Sequence, residues 1–268
     1  MDSQASSPDD WWHAAALLEW QVELGATEAI GEAPVNRYEL PAAPARPASP
    51  QAQPDARKRP TPPPPPIVLA DPVADAQAAA AGATTLAELR DAMAAFEGCE
   101  LRKGARNLVF SDGDPGARVM IVGEAPGREE DARGKPFIGK AGQFLDRMFD
   151  AIGLSRTASG ADGLYITNTL PWHPPGNRDP DAAEIAMMLP FVHRHIELAA
   201  PDILILMGNV SCLALLGRKG ITRLRGAWTE ALGRPTLPMF HPAYLLRNPP
   251  AKREAWHDLL MLRARLRQ

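Results

Sequence analysis

The chain has 268 residues, 45% of them hydrophobic and 23% charged, which is enough for one sizeable core and too few for a string of domains. Only two cysteines are present, so a disulfide framework is excluded and a cytoplasmic setting expected; no apolar run reaches the roughly eighteen residues of a membrane span. The net charge of -3 hides an uneven spread, with eight acids and one base in residues 1–40 against six bases and two acids in residues 241–268. A basic end of this kind suits a phosphate-bearing partner, whereas the acidic start MDSQASSPDD lacks the basic, then apolar, pattern of an export signal.

Trp12, Ala16, Leu17, Trp20 and Leu24 recur at helical spacing between Asp9 and Gly25, which predicts one amphipathic helix within an N-terminal segment, residues 1–32. A lone helix cannot bury its own tryptophans, so this one is expected to dock on the main domain or on a protein partner. Residues 33–73 form a linker. Twelve prolines fall between Pro34 and Pro66, a composition that makes an extended tether without a core. The main domain is expected over residues 74–268 and opens with helix over Ala74–Glu97, where Thr84 or Thr85 is the cap and Glu88 stands at capping-box distance from Thr85.

From Arg118 the pattern alternates. Short apolar runs at Val119–Val122, Leu164–Thr167, Ile203–Met207 and Thr236–Phe240 are followed by helical periodicity over Ala141–Ile152, Asp181–Leu198, Val210–Leu216 and Lys252–Leu266. Continuous rather than alternating apolar runs are those of strands buried on both faces. The expected fold is therefore α/β: three layers, α/β/α, around a four-stranded parallel doubly wound sheet, with the N-terminal helix tethered in front.

Ligands of such sheets bind beyond the carboxyl ends of the strands. There the chain carries Gly123-Glu124-Ala125-Pro126-Gly127, then Asn168 with Pro174-Pro175-Gly176-Asn177-Arg178, then Gly208-Asn209-Val210-Ser211, and last His241-Pro242-Ala243-Tyr244-Leu245-Leu246-Arg247. These ends supply a carboxylate, amides, a histidine and glycines, with no metal-ligand cluster. Taken singly each has a plain explanation: GEAPG as a turn, Asn168 as a loop cap, His241 as a core histidine. His173, His193, His195 and His257 read as surface or structural, since no carboxylate or thiol stands at zinc spacing from them. Together, however, the strand-end residues converge on one edge of one sheet, as the parts of a site do.

The runs VGEAPG (Val122–Gly127), GKPFIGKAG (Gly134–Gly142), Ile166-Thr167-Asn168, PPGNR (Pro174–Arg178) and HPAYLLR (His241–Arg247) resemble, in order and over roughly Cys99 to Trp256, a uracil-DNA glycosylase of family 4. The resemblance implies a DNA repair hydrolase that flips uracil out of single- or double-stranded DNA and cuts its N-glycosidic bond, leaving an abasic site. It implies that Phe137 stacks on the base, Asn168 reads its O4 and N3–H edge, the backbone of Gly123, Glu124 and Ala125 closes the pocket, and His241 donates to uracil O2. Glu124 and Asn177 are candidates for holding the water. Leu245 and Leu246 are candidates for the wedge that fills the vacated stack, and Lys140, Arg178, Arg225 and Arg247 for phosphate contacts. Two other readings fit the motifs: a non-catalytic binder of deaminated bases, and a glycosylase for another base such as hypoxanthine.

The resemblance also implies a four-iron cluster on four cysteines, and here the chain departs from the pattern. Only Cys99 stands at such a position; Phe96, Trp172 and Met188 occupy the other three, and Cys212 lies elsewhere. One thiolate cannot hold a cluster that needs four ligands, so no cofactor is expected and apolar packing should fill the volume.

Overall fold

A computed structural model describes residues 16–18, 21 and 71–268; the chain divides into two units, 1–65 and 66–268. Residues 16–18 and 21 of the first unit are helical, and the rest of the expected N-terminal helix and nearly all of the linker lie outside the described residues. No helix among the described residues is long and apolar enough to cross a membrane.

The second unit opens with α1 (Pro72–Gly82) and α2 (Leu86–Ala95) where one continuous helix was expected. The break has a local cause. Thr85 Oγ1 accepts the Glu88 N–H at 3.2 Å, which starts a new helix, and the Glu88 carboxylate reaches back to the Thr84 N–H at 2.7 Å rather than to Thr85. A short turn, α3 (Leu101–Gly104), leads to the sheet.

Six strands form that sheet: β1 (Asp112–Gly113), β2 (Val119–Gly123), β3 (Leu164–Asn168), β4 (Ile203–Met207), β5 (Thr229–Ala231) and β6 (Arg234–Met239), in the order β1-β3-β2-β4-β6-β5. The middle four are parallel, as expected, and the short β1 and β5 add antiparallel edges that the sequence did not announce. Two and three residues are too few to leave a periodic signal.

Strand alternation divides the core. Val119, Ile121, Leu164, Ile166, Ile205 and Leu237 face α5 (Lys140–Asp150) and α10 (Lys252–Leu266), where Leu145, Phe149, Leu259 and Leu262 pack. Met120, Val122, Tyr165, Leu204 and Leu206 face the opposite layer, meeting Val192 and Ile196 of α6 (Ala182–Ala199), Cys212 of α7 (Asn209–Leu216) and Leu224 of α8 (Ile221–Leu224). Asp181 and Glu184 close the N-terminus of α6 in a full capping box. The remaining helices, α4 (Arg128–Arg133) and α9 (Pro242–Arg247), sit directly after β2 and β6, so both begin at the carboxyl edge of the sheet.

Candidate active site

That edge carries a cavity of about 600 Å³ lined by residues from every predicted strand end: Glu124, Ala125, Phe137, Asn168, Asn177, Arg178, Asn209, His241 and Arg247 among them. Gly123 and Asn168 are register partners on neighbouring strands, and the Thr169 N–H and hydroxyl both donate to the Gly123 carbonyl, at 3.0 and 2.9 Å. A side chain at position 123 would collide with Asn168 Oδ1 and with the Phe137 ring. Glycine is required there so that the two can approach.

Phe137 has a left-handed backbone, φ 52°, a conformation bulky residues rarely adopt. Its ring is almost fully buried and its centroid lies 5.4 Å from that of His241, with the planes inclined at 31°. Two charged side chains hold its loop. Glu130 Oε1 accepts the N–H groups of Ile138 and Gly139 at 3.0 and 2.9 Å, and the Arg156 guanidinium donates to the carbonyls of Pro136 and Phe137 at 2.9 and 2.8 Å. Gly142, one turn into α5, has no room for a side chain because the Phe137 carbonyl occupies that place.

Asn168 is 6% exposed, and its Oδ1 is a buried side-chain oxygen without a hydrogen-bond partner among the described residues. Such an orphan is costly, and it points to a donor that arrives with a ligand. His241 caps α9: its Nδ1 accepts the Ala243 N–H at 3.1 Å, so in the neutral ring the proton resides on Nε2. Burial first, then repulsion from Arg247, lowers its pKa to about 4, so the ring is neutral at physiological pH. Glu124 is shifted the other way. Burial and the neighbouring Asp179 hold its carboxyl above the usual range. Asn177 has a left-handed backbone, φ 55°, directly after Gly176 at φ 66°, which turns the PPGNR segment toward the cavity.

Arg178 lines the cavity with its guanidinium gripped by Glu184, at 2.9 and 2.5 Å, so it is oriented and still half exposed. Arg247 lines the cavity and is exposed; Lys140 is exposed at the start of α5 but outside the lining. Two of the expected DNA contacts need correction. Arg225 forms a bidentate ion pair with the fully buried Asp258 and lies near Glu254, its side chain only 14% exposed, so its charge is committed to anchoring α10. Leu245 is fully buried in the core under α9, leaving Leu246, 40% exposed, as the free apolar tip.

Other residues of the site escaped the sequence reading. His173, expected at the surface or in a structural role, lines the cavity, and its Nδ1 donates to the Pro126 carbonyl at 2.8 Å, tying the PPGNR and GEAPG segments together. Glu130 and Arg156 belong to no strand end, and nothing in their local sequence distinguishes them from solvated charges. Gly142 lay inside a quoted motif, where its spacing from Phe137 was the available signal.

The four positions at which the resemblance implies cluster ligands do come together. Phe96, Cys99, Trp172 and Met188 share one buried apolar cluster with Phe191, Leu101 and Ile185. The Phe96 and Phe191 rings meet edge to face at 5.4 Å, and burial pushes the Cys99 thiol up, away from the thiolate form that binds iron. One thiol and one thioether are the only sulfur donors among these four residues, so they do not fit an iron-sulfur cluster; no group of three or more His, Cys, Asp or Glu able to hold a metal occurs among the described residues.

The family model for the uracil DNA glycosylase superfamily matches residues 110–260. Curated relatives include Type-4 uracil-DNA glycosylases of Sulfurisphaera tokodaii, 33% identical over 67% of this chain and 84% of that protein, and of Saccharolobus solfataricus, 38% identical over 60% and 76%. A third, from Thermotoga maritima, is 37% identical over 56% of this chain and 77% of that protein. The match begins just before β1 and ends within α10, so it takes in every strand end that lines the cavity. The chain belongs to the uracil DNA glycosylase superfamily and is related within it to the Type-4 enzymes.

Proposed function

We propose that the protein excises uracil from DNA by hydrolysing the bond between N1 of the base and C1′ of deoxyribose. The observation that carries this is the unpartnered Asn168 Oδ1 beside the Phe137 ring, with the His241 imidazole nearby. A flipped uracil stacked on Phe137 offers N3–H to Oδ1 and O4 to the amide nitrogen. Cytosine presents an acceptor at N3 and an amino group at position 4, so it would face like against like at both atoms.

Bond cleavage leaves positive charge on the sugar and sends the bonding pair into the base, where it spreads onto O2. Nε2–H of the neutral His241 donates to that oxygen. Because Nδ1 is already occupied by the Ala243 N–H, the donor is held in place before the reaction begins. Water then bonds to C1′ and gives up a proton, which offsets the negative charge of the departing uracil; Glu124 and Asn177, both in the cavity lining, are the groups assigned to orient that water. Arg178, Arg247 and Lys140 contact phosphates, and Leu246 fills the gap in the stack.

We further infer that apolar packing of Phe96, Trp172 and Met188 replaces the iron-sulfur cluster, so that the purified protein is colourless and active without iron. The test is incubation with oligonucleotides carrying one uracil, in single and double strands, followed by alkali cleavage of abasic sites, with iron determined on the same sample. Strand scission at uracil by an iron-free preparation is the expected result. Tight binding without scission would overturn the catalytic reading, and scission only at hypoxanthine would overturn the substrate. In the variant Asn168→Asp, which accepts but cannot donate, preference for uracil over cytosine should fall.

A further inference from the structure

Residues 136–139 are held at four successive positions by two opposite charges. The Arg156 guanidinium takes the carbonyls of Pro136 and Phe137, and the Glu130 carboxylate takes the N–H groups of Ile138 and Gly139. Arg156 comes from the segment between α5 and β3 and is not part of the cavity lining; its side chain is only 10% exposed. Two of its three remaining N–H groups are used as well, Nε on Asp146 at 2.7 Å and the second of Nη1 on Asp112 at 3.2 Å. Asp112 lies on the edge strand β1 and Asp146 on α5, so the guanidinium fixes the loop to both the sheet and the helix layer. A planar fork can satisfy two carbonyls and two carboxylates at once; a lysine ammonium cannot.

What this arrangement secures is a conformation that the chain would otherwise leave. Phe137 is one of four non-glycine described residues with positive φ, and it is the one whose ring forms a cavity wall. Freed from its carbonyl partners, the peptide would relax toward the common extended or right-handed regions and turn the ring out of its plane.

We infer that Arg156 is a positioning residue for glycosidic cleavage: without touching DNA it sets, through the carbonyls of residues 136 and 137, the angle at which the Phe137 ring meets the flipped base. This rests on the proposed reading of the cavity as a uracil pocket. A residue that acts through Phe137 has nothing left to act through once that ring is removed, whereas one that only supports the fold slows both backgrounds alike.

The test is a double-mutant cycle on single-turnover uracil release, with amide exchange at Ile138 and Gly139 measured in the same proteins. Arg156→Lys should slow release about tenfold in the wild-type background and by no more than about twofold in Phe137→Ala, a coupling of the size found between contacting groups. Exchange at the two amides should be faster in Arg156→Lys. Equal slowing in both backgrounds, or a folded Arg156→Lys protein with wild-type rate and unchanged exchange, would overturn the inference. Should Arg156→Lys fail to fold, Asp146→Asn, which removes one anchor of the guanidinium at a half-exposed site, is read in the same cycle by the same criteria. If the wild-type protein releases no uracil, the reading of the cavity fails on its own, and the exchange measurement still decides whether Arg156 clamps the loop.

Discussion

Two regions share the segment from Asn168 to Arg178 and are built on opposite rules. At its ends lies the cavity, where atoms are left unsatisfied or held in uncommon conformations: the orphaned Asn168 Oδ1, the left-handed Asn177, and across from them the left-handed Phe137. In its middle, Trp172 enters a cluster with Phe96, Cys99 and Met188 in which nothing is left over, only apolar surface packed against apolar surface. The difference is one of substitutability. A pocket that answers a particular pattern of donors and acceptors loses its function with any exchange of atoms. A brace has only to fill volume and stay rigid, and more than one set of apolar side chains can do that.

The largest effects should separate the two regions cleanly. Trp172→Ala empties part of a cluster in which the indole is 3% exposed and should cost about 3–5 kcal/mol of stability, read from the denaturation midpoint at unchanged m. The rate per folded molecule should fall far less than the stability suggests. His241→Ala should do the reverse: uracil release slows roughly a hundredfold or more, as for loss of one preorganised donor, while stability falls by about 1 kcal/mol through the lost helix cap. Were Trp172→Ala to lose activity as deeply as His241→Ala, the two regions would not be separable in this way.

A smaller effect concerns two histidines, His195 and His241, held neutral by their surroundings. His241 is lowered to about 4 by burial and Arg247, and His195, packed against Phe110 and bonded to the Tyr165 hydroxyl at 2.8 Å, is lowered to about 3 by burial. Unfolded, both take up a proton near pH 6.5; folded, they resist it. Stability is therefore at its plateau above pH 6.5 and declines as the pH falls toward 4, by at most about 1.4 kcal/mol per pH unit for each histidine. His241→Asn should roughly halve that slope. An unchanged slope would mean that the imidazole is not held neutral, and the donor assigned to Nε2 would lose its support.

The sequence carried the parallel strands because burial on both faces leaves continuous apolar runs, and it carried Glu124, Asn168 and His241 because an α/β sheet delivers strand ends to one edge. Arg156 and Glu130 were illegible for a physical reason: both act on backbone groups of one loop, about twenty residues from Arg156 and eight or nine from Glu130, at no periodic spacing, and a charge that will be held against carbonyls or amides looks in the sequence like one bound for solvent. Arg225 shows the converse error. Its partner Asp258 lies 33 residues away on α10, so a basic residue that seemed free for phosphate was already neutralised. Leu245 and Leu246 are adjacent and chemically identical, and only the direction of a six-residue helix decides which faces the core.

That pair supplies the smallest and most local test. Leu245 is fully buried among core residues of the α5 and α10 layer, whereas Leu246 is 40% exposed on the same turn of α9, next to Arg247 at the cavity rim. Leu245→Ala should destabilise the fold by about 2–5 kcal/mol and, once allowance is made for the unfolded fraction, leave base release nearly unchanged. Leu246→Ala should leave the denaturation midpoint within about 0.5 kcal/mol, as for a surface site. Its cost should appear on duplex DNA, where a vacated stack has to be filled, and be weaker on single strands, which have less stacking to disrupt. Equal slowing on both substrates would mean that Leu246 contacts the DNA without acting as a wedge, and the free energy of flipping would then have to come from Phe137 and the phosphate contacts alone.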